Sequence, residues 1–169
     1  MGVQSTAATL VPSALAKGSV SSGRSVADRI FLWGTFLGFA LAAAQYIALP
    51  YLVPVFTTLP DVQEAIKLPA LISSFTHILN GPLFPGEGVM LGLGTFKALA
   101  TVTAMGIGTM VACLLSPMGK RLDGILLSMA AFHLVQAVGV TVHHLRIGPL
   151  RRKSLFQRKK VTSASHNED

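Results

Sequence analysis

Charged side chains are scarce in this sequence. Asp, Glu, Lys and Arg make up 12% of its 169 residues, about half of the roughly 25% typical of a soluble globular domain. So little charge leaves much of a soluble surface uncovered, which excludes an ordinary cytosolic globule. Cysteine is scarcer still. Cys113 is the only one, which excludes an intrachain disulfide and a cysteine-based metal site. It sits in an apolar stretch and reads as a small packed hydrophobe. Catalytic signatures are missing as well. The chain has no G-x-S-x-G, no H-E-x-x-H, no phosphate loop and no dinucleotide glycine fingerprint. Asp61 and Glu64 stand at helical spacing in a polar connection and read as a solvated face, not as an acid-base pair.

Apolar residues are what the chain has in quantity. Hydrophobic types reach 51% and the mean hydropathy is +0.58. These values exclude wholesale disorder. Glycine and proline number 16 and 9 without a period, which excludes a collagen-like chain. The remaining class is an all-α, integral membrane helical bundle.

The gaps between charges locate the spans. No charged residue occurs from Ile30 to Pro60, from Leu68 to Gly86, from Ala98 to Gly119 or from Gly124 to Leu145. About 20 apolar residues cross a hydrocarbon core of about 30 Å. Spans are therefore expected over 30–49, 96–115 and 124–145. Pro50 and Pro54 end or kink the first of them. The window 69–84 is short and carries Ser73, Ser74, His77 and Asn80; a short span and an interfacial helix both fit it. The sequence thus divides into a polar, flexible tail over 1–29, a transmembrane domain over 30–148 and a basic tail over 149–169.

The basic residues favour four spans. With four, Lys17, Arg24 and Arg29 share one side with the seven basic residues between Arg146 and Lys160. The other side holds Lys67, Lys120 and Arg121. This bias puts both termini on the cytoplasmic side, or on the matrix or stroma side of an organelle. Directly after an apolar helix, the basic run reads as a headgroup-facing flank. It does not read as a nucleic-acid surface, since only Phe156 interrupts it as an aromatic. The first 29 residues lack the apolar core of a secretory signal, and their serine-rich, acid-poor composition fits a transit peptide. The start MGVQST fits a myristoylation pattern at Gly2. A four-span protein needs no such anchor.

Small residues mark packing faces. Gly34 and Gly38 form one GxxxG, Gly88 and Gly92 another, and Gly106 with Gly108 make the span over 96–115 small-faced. Such faces let membrane helices approach closely, within one bundle or a homo-oligomer.

Polar residues at membrane depth are the candidate site residues. His133, Gln136 and His144 share a stripe of the last span. A proton relay, a polar-ligand contact and plain helix-to-helix hydrogen bonding all fit His133, and the last is favoured. His143 and His144 lie at a helix end, where imidazole needs no special role. Lys97 is a buried functional cation if its span starts at Gly88, and an interfacial anchor if it starts near Phe96. Thr101 lies one turn on. Acid-base candidates are Lys97, His133 and His77; ligand-contact candidates are Gln136, Thr101 and His144. Glu87, in the turn-like PGEG, is expected at the surface. No metal site is indicated, and no cofactor is identifiable.

The run GLGTFKALATVTAMGIG, the break LLSPMGKRLDG and the helix ILLSMAAFHLVQAVGVTVHHLRIG resemble the DoxX-like group of small four-helix membrane proteins. The resemblance spans residues 88–148. It implies a membrane oxidoreductase or quinone-associated setting, with Lys97, His144 and Arg146 at recurring polar positions, and it supplies no catalytic set. Three functions fit these features. The first is an accessory, redox-associated membrane component working as an oligomer or complex subunit in the lipid bilayer. The second is a small membrane enzyme of isomerase, cyclase or oxygenase type acting on a lipophilic molecule. The third, a transporter or channel, is the least favoured, because no acidic residue falls inside an expected span.

Overall fold

The computed structural model describes residues 2–17, 20–147 and 150, and no β-strand occurs among them. The helices are α1 (Gly2–Lys17), α2 (Val20–Phe56), α3 (Pro60–Gly92), α4 (Phe96–Leu115) and α5 (Leu122–Val142). A 3-10 turn, Pro117–Lys120, links α4 to α5, and a π-helical turn, His143–Ile147, comes after α5. The basic tail beyond Leu150 lies outside the described residues.

The span expected over 96–115 coincides with α4. That expected over 124–145 corresponds to α5 and its π turn. The other boundaries differ. Helix α2 does not stop at Pro50 but runs through Pro50 and Pro54 to Phe56. Helix α3 contains Pro69, Pro82 and Pro85, and extends well past both ends of 69–84. A proline removes one backbone donor, and a helix in an apolar setting tolerates that loss because unfolding would expose many more. The PGEG stretch is helical for the same reason. Its glycines are needed for close packing, not for turning. The one positive φ among the described residues belongs to Gly94, at 68°, where the chain reverses between α3 and α4 and a side chain would be strained.

Residues 2–17, expected as tail, instead form α1, which lies against α2 and α3. Ala7 and Val11 are completely buried and pack with Ala27 and Val89. The segment before Ile30 is likewise the first part of α2.

Glycine sets the helix crossings. A methyl group added at Gly38 would lie 2.6 Å from the His77 carbonyl oxygen and 2.7 Å from the Gly81 Cα. Gly34 meets Pro85 and Gly81. These contacts run α3 antiparallel to α2. Gly88 and Gly92 receive α1, with the Ala8 carbonyl oxygen 2.8 Å from the Gly92 methyl position. Gly86 accommodates Val140 of α5. On α4, Gly106 faces Phe132 and Gln136, whereas Gly108 has open space around it. Apart from Gly108, the marked glycines are thus used inside the bundle.

Among the described residues, three helices are long and apolar enough to cross a membrane: α2, α4 and α5 with its adjoining turn, Leu122–Arg146. Large apolar side chains such as Leu32, Phe36, Phe39 and Tyr51 stand exposed on α2. In water such a surface would be strongly unfavourable, whereas lipid solvates it. The protein is therefore an integral membrane, multi-pass helical bundle.

Candidate functional site

Two polar clusters interrupt the apolar bundle. The first closes one end, where the start of α2 meets the π turn after α5. Arg24 and Asp28 are one helical turn apart. The Arg24 Nε donates to both Asp28 carboxylate oxygens, at 2.9 and 3.0 Å. Its Nη1 donates to the Leu150 carbonyl oxygen at 2.7 Å. The extra residue in a π turn rotates the side chains beyond it around the helix axis, and here His143 and His144 both turn inward and are buried. The His144 Nε2 donates to Asp28 Oδ1 at 2.7 Å, and its ring stacks on Phe31 at 4.6 Å. Donation from Nε2 leaves Nδ1 as the acceptor of a neutral imidazole. That atom is buried without a hydrogen-bond partner.

The second cluster lies among α1, α3 and α5. The Gln4 Nε2 donates to Glu87 Oε2 at 3.0 Å. Glu87 is half-buried between two buried glycines of α3. It is also within electrostatic reach of His133 on α5. This corrects the surface position expected for Glu87. The His133 Nδ1 donates to the Met129 carbonyl oxygen at 2.8 Å, which leaves Nε2 as the ring atom free to act toward a partner.

The remaining candidates fall in separate surroundings. Lys97 is the second residue of α4 and exposed, the position of an interfacial anchor. Thr101 spends its hydroxyl on the Lys97 carbonyl oxygen at 2.9 Å. Gln136 joins α5 to α4 through a 3.1 Å bond from its Nε2 to Thr103 Oγ1. His77 and Asn80 line a small cavity of about 270 Å³ beside the α2–α3 crossing, into which no other candidate enters. Lys97, His133 and His77 thus do not assemble into one site, whereas His144 joins Asp28 and Arg24. Among the described residues, no three His, Cys, Asp or Glu side chains converge to hold a metal ion.

Sequence reasoning passed over Arg24, Asp28, Glu87 and Gln4. The spacing of Arg24 and Asp28 was a usable signal, since residues four apart face each other on a helix. Gln4 and Glu87 are 83 positions apart, and nothing local connects them.

No curated protein and no solved structure matches the chain. The resemblance to DoxX-like proteins is overturned by the family comparison, which finds MatE instead. The residues that carried that resemblance serve packing, anchoring and pairing in the bundle. Gly88 and Gly92 receive α1, Lys97 stands exposed at the start of α4, and His144 pairs with Asp28. The redox-associated role falls with it. The match covers residues 1–117, from α1 through α4 and into the 3-10 turn, and the chain belongs to the MatE family, a MOP-family transporter domain.

Proposed function

We propose that this protein takes part in moving a solute across a membrane. Membership of the MatE family over residues 1–117 carries this reading. It reverses the order in which the sequence ranked transport. The objection there was the lack of an acidic group inside a span; with α3 read as a span, Glu87 supplies one. The half-buried carboxylate accepts from Gln4 and lies within electrostatic reach of His133. Ionisable groups at such depth are expensive, and they commonly mark solute or ion pathways. In this reading Glu87 and His133 are the pathway residues, and Gln4 positions the carboxylate. Four crossings, with α3 as the second, and cytoplasmic placement of both termini complete the proposal.

Reconstitution tests it. Proteoliposomes loaded with labelled small cations, anions and neutral solutes should release at least one of them faster than protein-free liposomes. Glu87→Gln should slow that release tenfold or more while the protein still elutes as a folded particle. A panel with no release above background rejects transport by this chain. Undiminished release from the variant rejects the site.

A further inference from the structure

An open groove of about 730 Å³ runs between the start of α1 and the outer side of α2. Val3 and Thr6 form one wall. On α2, Arg29, Trp33 and Leu37 succeed one another at four-residue steps, which keeps them on one stripe of the helix. Phe36 borders the stripe and meets Trp33 edge-on at 6.0 Å. Trp33 is 67% exposed. Arg29 is the groove's one charged residue, and no hydrogen bond or ion pair within the described residues engages its guanidinium. Arg24, on the same helix, is neutralised by Asp28. The start of α2 therefore carries one arginine paired with Asp28 and one exposed arginine with no partner among the described residues, at the edge of an apolar surface.

We propose that this groove binds an anionic phospholipid of the surrounding bilayer, its phosphate held by Arg29 and an acyl chain laid along Trp33, Phe36 and Leu37. A guanidinium matches a phosphate with two parallel hydrogen bonds. Tryptophan settles at the headgroup boundary, one end of its ring apolar and the other polar. Arg29 and Trp33 stand one turn apart, about the offset between a phosphate and the first acyl carbons. Charge complementarity selects an anionic headgroup over a zwitterionic one. The site does not depend on the transport reading.

Trp33 is the only tryptophan in the chain, so fluorescence excited selectively at tryptophan reports on this groove alone. The full chain is reconstituted in phosphatidylcholine vesicles containing increasing brominated phosphatidylglycerol, or brominated phosphatidylcholine as the matched comparison. The anionic lipid should reach half-quenching at about fivefold lower mole fraction, which is the ~1 kcal/mol that one basic residue contributes at an anionic surface. Arg29→Gln should abolish the difference. Arg29→Lys, which keeps the charge without the two-pronged geometry, should reduce it, and Lys17→Gln should leave it intact. Equal quenching by the two lipids overturns the proposal, and the wild-type titration alone decides this. A preference surviving in Arg29→Gln assigns it to the chain's overall positive charge and overturns the site. If that variant does not fold, an unreduced preference in Arg29→Lys does the same. A Trp33 that neither lipid quenches means the groove is covered by protein, and also overturns it.

Discussion

His144 is 6% exposed, yet it keeps one ring nitrogen unpaired and the other on a carboxylate. Such a residue is held in place by its partner. Asp28 is half exposed and screened by solvent, so its contribution is moderate. It nevertheless serves two donors, and one of these, Arg24, is only 12% exposed. Asp28→Ala leaves the His144 Nε2 and the Arg24 Nε without their acceptor, while the Arg24 Nη1 keeps the Leu150 carbonyl oxygen, a loss of about 1–3 kcal/mol. It should lower the detergent melting temperature by several degrees and speed hydrogen exchange over 140–147, where α5 ends. Unchanged melting would mean that this end of the bundle is held by packing alone. The four-residue spacing of Arg24 and Asp28 was a signal for their pairing that the sequence reading did not use. The sequence could not show that His144 completes it, because the contact spans 116 positions and depends on the π turn.

At the scale of elements, glycine decides which helices touch. The sequence marked Gly34, Gly38, Gly88, Gly92, Gly106 and Gly108 as small faces, without telling which partner each one meets. The surroundings of Gly38 and Gly108 are opposite. A side chain at Gly38 collides with the backbone of α3, and backbone does not yield as a flexible side-chain tip does. Gly108 has nothing within 4 Å. Gly38→Leu should therefore separate α2 from α3 and cost several degrees of melting temperature, while Gly108→Ala should leave it unchanged or slightly higher. Equal losses from both variants would contradict this packing. Helix boundaries were the less legible part. Pro50 and Pro54 read as an end or kink and PGEG as a turn, yet the helices continue through them, because backbone groups in an apolar setting have no better alternative than the helix.

For the molecule as a whole, the antiparallel run of α2, α3, α4 and α5 brings the start of α2 and the end of α5 together, as the Asp28–His144 contact records. If α3 crosses with its neighbours, Ser22 and Met118 lie on opposite sides of the membrane. In a Cys113→Ser background, Ser22→Cys should react with an impermeant maleimide only after the cytoplasmic face is opened, and Met118→Cys should react in intact cells. Labelling of both from one side would reject the four-span arrangement. The membrane character, the helical class and two of the spans came from the chain alone, since the charge-free lengths of a sequence are one-dimensional and hydrocarbon thickness is constant. The closing of Asp28 on His144, the burial of α1 and the hydrogen bond from Gln4 to Glu87 did not. Each joins residues far apart in sequence, and only the helix rotations and close approaches that the glycines permit bring them within reach.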